Sequence, residues 1–268
     1  MNICIIPAKG HSERIPDKNV KPFCRKPVIE YTLDAVRDSA CFDVIVVSTD
    51  SDKIGNIASR FGAVYHKRPP DLALDDTPMV SAVLEVLPKY PDATTVCMAY
   101  ACSPFIKAST IQGAYIQHNA YEASVTTAVY HSAEHEEYSM LIEDDVLISR
   151  HPEYKDTNSN NFPPTYQNAG QFYIADIMHL ERSRTLTPAN MIGVVVDHGI
   201  DIDTPEDWER AEALYILRNH PKLLQWSMDN PAIIAECESM DGYGSVTINY
   251  AAGEITTVDR STSVRTKE

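Results

Sequence analysis

Two short stretches carry the residues with most chemical potential. The first is IIPAKGHSERIPDKN, an apolar run followed by a loop bearing Lys9, Arg14 and Lys18, with Lys21 just beyond. A glycine directly after a strand lets backbone approach a ligand closely, and lysine and arginine neutralise phosphate oxygens. The spacing is compatible with a phosphate-binding loop and equally with a solvated basic loop. It is not a P-loop, because no GK[ST] follows. The second stretch is GIDIDTPEDW, where Asp201 and Asp203 stand two apart. In extended backbone such residues share one side, and paired carboxylates are hard-oxygen ligands suited to Mg²⁺. Asp203 or Thr204 also suits the N-cap of the helix that follows, so capping and metal binding can coexist. Together, cations after an early strand and a late acidic pair are what nucleotidyl transfer needs. They neutralise a triphosphate and its pyrophosphate leaving group.

Alternating elements must bring these stretches together. NICIIPA, FDVIVVSTD, AVYHKRP, ATTVCMAYA, ASVTTAVYH, QFYIAD and MIGVVVD read as strands. Between them lie helical patterns. One begins after Pro27 with Ile29, Leu33 and Val36 inward. A second covers DKIGNIASRF, with Gly62 as C-cap. A third starts from Thr77 as N-cap with Pro78 at its first position. A fourth covers STIQGAYIQHNA. The last, TPEDWERAEALYILRN, has Pro205 first, Glu206 and Asp207 in its first turn, and Ala211, Leu214, Tyr215 and Leu217 inward. Such alternation predicts an α/β fold with a Rossmann-like, mostly parallel sheet, whose ligands bind beyond the carboxyl ends of the strands. The loops there are AKGHSERIPDKN, STDSD, RPPDLALDDT and YACSPF, which the topology gathers into one crevice.

Residues 134–170 break the pattern. They predict strands or a hairpin at 138–150 and a long loop through 151–169. Beyond 220 the segment HPKLLQWSMDNPAIIAECES is ambiguous, GSVTINYAAGEITTVD reads as a hairpin around AAGE, and RSTSVRTKE reads as a frayed tail. The division is thus a main domain over 1–219, with an insert at about 130–170, and an extension over 220–268 of unassigned role.

Composition bounds the rest. The 268 residues carry a net charge of −15 and the pI is about 5.0, which argues against a nucleic-acid partner. No apolar run approaches the ~20 residues that span a bilayer, and the first residues lack a cationic secretory leader. A cytoplasmic location is expected. The six cysteines form no CxxC pair, so zinc or a disulfide framework is not expected. His131 and His135 lack a third ligand. The acidic runs EHEEY and Glu143–Asp145 read as solvated surface, Trp208 reads as core, and Asp75 and Asp76 suit helix capping as well as substrate contact.

The whole pattern resembles the CMP-sialic acid synthetase family. IIPAKGHSERIPDKN is similar to its IIPARGGSKRIPRKN signature, and FDVIVVSTDSD, RPPDLALDDT and GIDIDTPEDW resemble further blocks in the same order, across residues 2–217. NAGQFYIAD resembles the AGQFY block of the branch acting on pseudaminic acid. The resemblance implies a CTP- and Mg²⁺-dependent cytidylyltransferase that activates a nine-carbon keto sugar acid and works as a homodimer through the insert. Sialic, legionaminic or keto-deoxy-octulosonic acid are the alternative acceptors, and a non-catalytic nucleotide or sugar binder is the alternative role. It implies Lys18, Lys9 and Arg14 as catalytic cations. Ala8, Lys9, Gly10, Ser12, Asn19, Tyr100, Ala101 and Ser103 would hold the nucleotide. Arg68, Gln171 and Tyr173 would hold the sugar, and Asp201 and Asp203 the metal. Three positions depart from the signature: Lys9 for arginine, His11 for glycine and Glu13 for lysine. Lys9 loses the bidentate fork, and Glu13 is expected to point outward.

Overall fold

A computed structural model describes residues 1–268 except 75, 133–134, 220–224, 226–228, 230–243, 252–253 and 263–268. The chain divides into two compact units, Met1–Asp207 and Trp208–Glu268. In the first unit β1 (Asn2–Pro7) leads into the basic loop. A miniature hairpin of β2 (Pro22–Phe23) and β3 (Lys26–Pro27) delivers the chain to α1 (Val28–Ser39). There follow β4 (Val44–Thr49), α2 (Asp52–Arg60), β5 (Val64–Lys67), α3 (Met79–Val86), β6 (Thr95–Ala99), α4 (Ala108–Ala120) and β7 (Val125–His131). The insert carries β8 (Met140–Glu143) and β9 (Val146–Ser149), and the main sheet resumes with β10 (Tyr166–Asp176), α5 (Ile177–Ser183) and β11 (Met191–Val196). Helix α6 (Pro205–Asn219) spans the division between the units. The second unit adds β12 (Gly244–Ala251) and β13 (Glu254–Thr262), which pair antiparallel, with residues 252 and 253 of the expected turn outside the described residues.

The seven-stranded sheet runs β11-β7-β10-β6-β1-β4-β5. Every pairing is parallel except those of β10, which lies antiparallel between β6 and β7. The apolar run of β1 is buried on both faces, as a central strand requires. Cys4 and Ile6 meet Leu33, Val36, Ile57 and Ile111 in one layer. Ile3 and Ile5 meet Val83, Val86 and Leu180 in the other. Helices α1, α2 and α4 thus cover one face, α3 and α5 the opposite one.

Three details differ from the sequence expectations. Helix α3 begins at Met79 with Pro78 as its N-cap and no side-chain cap, so Thr77 lies one position outside it. Proline lacks an N–H and cannot cap through its side chain, yet its fixed φ sets the entry angle. The loop expected through 169 ends at Tyr166, because Asn168 and its neighbours pair with β7. Arg260, Ser261 and Thr262, placed in a frayed tail, pair within β13. The segment 220–239 and the last six residues lie outside the described residues, apart from Gln225 and Asp229, as does Asp75. The insert hairpin forms as expected, and the acidic Asp144 and Asp145 are its turn. Both have positive φ, 47° and 63°, as a two-residue primed turn demands of its central residues. Gly62 has φ 77° just after α2, the left-handed terminator read from its position.

One tight approach holds the late acidic motif against the sheet. A Cβ at Gly199 would lie 2.2 Å from the Tyr130 ring and 2.9 Å from the backbone of Ala169. Gly199→Ala is therefore expected to destabilise the fold by roughly 1–3 kcal/mol through overpacking that backbone cannot relieve. Urea unfolding followed by circular dichroism measures it, and an unchanged midpoint refutes the packing account.

Candidate active site

Beyond the carboxyl ends of β1, β5 and β6 lies a cleft of about 570 Å³. The basic loop forms its floor. Ile15 is buried, the Lys18 amide donates to the Ile15 carbonyl at 3.1 Å, and Val20 and Lys21 amides donate to Asp17 at 2.9 Å each. Asp17 has φ 54°. These contacts wind Lys18–Val20 into a single 3₁₀ turn that aims Lys18 into the cleft. Asn19 Nδ2 donates to the Lys9 carbonyl at 2.9 Å, and Lys9 Nζ reaches across to the Leu74 carbonyl at 3.1 Å. Gly10 serves a neighbour within the protein: its amide donates to Asp50 Oδ1 at 2.7 Å, and a Cβ there would meet Ser51 at 2.7 Å. The STDSD loop thus buttresses the basic loop from behind.

The late acidic pair meets these cations. Arg14 Nη2 lies 3.0 Å and Lys18 Nζ 3.3 Å from the same Asp203 oxygen, joining residues 185 positions apart in the chain. Asp203 is not spent on capping. Thr204 Oγ1 accepts from the Asp207 amide at 3.2 Å, while Asp207 Oδ2 accepts from the amides of Thr204 and Asp203 at 2.9 and 3.1 Å. This reciprocal capping box, with aspartate in place of the usual glutamate, holds the start of α6 and leaves Asp203 for the cations. Ile202, between the two acids, is buried and pins the segment.

Strand β10 supplies the neighbouring wall. Its register against β7 shifts between Asn168 and Tyr173, and within that bulge Gly170 has φ 62° with Asp201 as its nearest neighbour, 4.0 Å from a Cβ placed there. Bulges of this kind re-aim side chains beside sites. Asn168 Oδ1 accepts from the Gly170 amide at 2.7 Å, and its Nδ2 donates to the Tyr173 hydroxyl at 2.9 Å. The Tyr173 and Tyr100 rings lie 6.3 Å apart. Thr32 on α1 donates to the Tyr100 carbonyl at 2.9 Å, fixing the YACSPF loop.

Of the residues expected at the site, Lys9, Ser12, Arg14, Lys18, Asn19, Arg68, Tyr100, Ala101, Asp201 and Asp203 line this one cleft. Ala8, Ser103, Gln171 and Tyr173 are buried behind it, and Gly10 backs the loop. Glu13, expected to face outward, lines the cleft, as does His11. Leu72, Leu74, Met79, Ala82 and Cys102 also line it and were not anticipated. The apolar wall from α3 carries no chemical signature in sequence. Cys102 sits in the quoted YACSPF loop, which could have pointed to it. Burial, opposed by Lys18 and reinforced by the two aspartates, pushes the Cys102 thiol up to about 12, so it stays a neutral S–H.

The electrostatics set the two aspartates apart. Desolvation first, then the Asp203 charge, raises the Asp201 pKa, with Lys18 and Arg14 opposing. A raised carboxyl pKa means that the ionised form costs folding stability at neutral pH, and that the cost is relieved as pH falls through the raised value. Asp201→Asn is therefore expected to raise the thermal midpoint at pH 7, with the gain shrinking in acid. Asp203→Asn removes the shared partner of Arg14 and Lys18 and is expected to lower it. Differential scanning calorimetry at two pH values tests the pair, and shifts of the same sign in both variants overturn this reading.

The family model described as Cytidylyltransferase matches residues 3–227. Pseudaminic acid cytidylyltransferase of Campylobacter jejuni is 30% identical over 224 residues, covering 80% of this chain and 96% of that protein. CMP-N,N'-diacetyllegionaminic acid synthase of Legionella pneumophila is 30% identical over 221 residues, covering 79% and 95%. Among solved structures, a CMP:2-keto-3-deoxy-manno-octonic acid synthetase complexed with CTP superposes with TM-score 0.62 at 17% identity, covering 81% of this chain and 99% of that one. The fold is thus one that these enzymes share, and the matched residues take in both the basic loop and the acidic pair: the chain belongs to the cytidylyltransferase family.

Proposed function

We propose that the protein transfers CMP from CTP to the anomeric hydroxyl of a nonulosonic acid, pseudaminic acid by preference, and releases pyrophosphate. The observation that carries the reading is the meeting of Lys18, Arg14 and Asp203 in one cleft. Lys18 and Arg14 would turn from Asp203 to the triphosphate and stabilise the charge that develops on pyrophosphate. Lys9 would support the phosphates from the opposite strand of the loop, and Tyr100 and Ala101 would bound the cytosine. Arg68, Gln171 and Tyr173 would hold the sugar acid. Gln171 Oε1 is buried without a hydrogen-bond partner, which suits an acceptor kept for a substrate hydroxyl. Glu13, exposed at the lining of the cleft, would add a negative charge near the triphosphate and weaken the nucleotide grip.

The donor set fits Mg²⁺. Asp201 and Asp203 are hard oxygen ligands, and a divalent cation would offset both the burial and the Asp203 charge that raise the Asp201 pKa. Among the described residues no three histidine, cysteine or carboxylate side chains gather into a metal-binding group. Two carboxylates would therefore hold the ion, with phosphate and water completing its shell. When bound, it supplies charge neutralisation of the phosphates.

We further assign the β8–β9 hairpin to a homodimer interface. Met140, Leu141, Ile142, Val146, Leu147 and Ile148 are all exposed, so both faces of a two-stranded ribbon are apolar and uncovered among the described residues. Among the described residues no helix is long and apolar enough to cross a membrane. A cytoplasmic setting, where CTP is available, fits the reaction.

Pyrophosphate release from CTP and Mg²⁺, assayed with pseudaminic, legionaminic, sialic and keto-deoxy-octulosonic acids, tests the function. Pseudaminic acid is expected to give the highest kcat/KM, and Lys18→Met to lower it at least ~100-fold with an unchanged circular dichroism spectrum. CTP binding by calorimetry with no turnover of any acid would establish a binding protein instead. For the interface, sedimentation at twice the 29.9 kDa chain mass is expected, falling to the monomer in an Ile142→Glu, Leu147→Glu variant. Monomeric wild-type protein at working concentration overturns it.

A further inference from the structure

On the β4–β5 edge of the sheet lies a polar cluster of which the proposed reaction uses only Arg68. Ser48 of β4 and Arg68 after β5 are buried, and so is His66 of β5. Arg68 Nε donates to Ser48 Oγ at 3.2 Å, and its Nη2 donates to the Ser48 carbonyl at 2.5 Å. Two of its five N–H donors are thus tied down on one edge of the fork, and the side chain lines the cleft. Ser48 Oγ has a second neighbour, His66 Nδ1 at 3.3 Å. The other side of that ring faces α3: Nε2 lies 3.3 Å from Glu85 Oε2 and contacts Lys89 Nζ, which itself lies 3.6 Å from Glu85 Oε1.

A sugar-acid carboxylate needs a guanidinium held in one orientation, because bidentate recognition is directional. Nothing but Ser48 fixes the Arg68 fork on its buried side in the hydrogen bonds described above. The Ser48 hydroxyl has one proton. It can keep accepting from Arg68 and still satisfy that proton only if His66 Nδ1 accepts it, or if His66 donates and another acceptor serves. In the first arrangement the proton sits on Nε2, on the side of Glu85; in the second Nε2 accepts from Lys89. Both require neutral imidazole.

We infer that His66 is a positioning residue, which through Ser48 orients Arg68 toward the carboxylate of the sugar acid. The inference rests on Arg68 belonging to the sugar subsite as proposed above. A protonated His66 would leave Nδ1 unable to accept the Ser48 proton, and would place a positive charge between Arg68 and Lys89, with Glu85 as the counterion and Asp50 acting on Arg68. Burial, the largest cause, lowers the His66 pKa; Glu85 opposes this while Lys89 and Arg68 add to it, so the neutral form prevails at neutral pH.

The test separates positioning from plain packing through two amide variants. His66→Asn keeps a polar group at the Nδ1 position facing Ser48. His66→Gln keeps one at the Nε2 position facing Glu85. At pH 8, His66→Ala and His66→Gln are expected to raise the KM for the sugar acid roughly 10-fold with kcat and the KM for CTP within twofold, whereas His66→Asn stays near wild type. As pH falls below the ordinary histidine range, the sugar-acid KM should climb in wild type and stay flat in His66→Asn. Equal KM for the acid in all four proteins, or equal rises for acid and CTP, overturns the inference. Exchange of the Arg68 Nε proton, read by NMR on the substrate-free protein, decides independently of turnover. Faster exchange in His66→Ala and His66→Gln but not His66→Asn supports positioning, and unchanged exchange refutes it. Should the wild type turn over no acid, the functional reading fails while this measurement still judges the link to Arg68.

Discussion

The structure turns on a charge meeting: Arg14 and Lys18 from the first loop close on one oxygen of Asp203, near the end of the first unit. In a chain of net charge −15, cations gathered at one place create a local field opposed to the molecule's own. A part-exposed ion pair of this kind adds little stability, and its importance lies in arrangement. Each partner is held by contacts that do not involve the other: Ile15 and the Asp17 turn on one side, Ile202 and the Thr204–Asp207 box on the other. The backbone that carries each group is therefore set by its own surroundings, independently of the ion pair.

The sheet explains why that place exists. Strand β1 sits near the centre with β4 and β6 on its flanks, so the loops after all three leave from the same rim. The sequence made this much legible. Runs of β-branched residues and intervening amphipathic segments are strong local signals, and two-sided burial of Ile3 to Ile6 is written in their unbroken apolarity. The N-terminal loop and the GIDID segment were legible as chemistry only in combination, because each alone also fits a solvated loop or a helix cap.

What sequence reasoning missed was decided by tertiary contacts. Glu13 faces the cleft because Ile15 and the 3₁₀ turn set the direction of the loop, and nothing in residue type reports direction. The role of Gly10 looked like ligand approach, whereas its neighbour is Ser51. Thr77 has a capping side chain, but the fixed backbone of Pro78 moved the helix start past it. Strand β10 was shortened by carrying the loop through 169, although the bulge lies inside the strand: Gly170 takes the positive φ and Asn168 ties the bulge to Tyr173.

The reversed direction of β10 has an architectural consequence. A parallel neighbour for β7 would demand a crossover of a dozen residues or more across the sheet. Because β10 returns antiparallel beside β7, the chain leaves the sheet at His131 and re-enters it at Tyr166 on one rim. The length between them can change while strand order stays intact, so the part of the molecule best able to diversify its outward contacts is rooted on the same rim as the cleft.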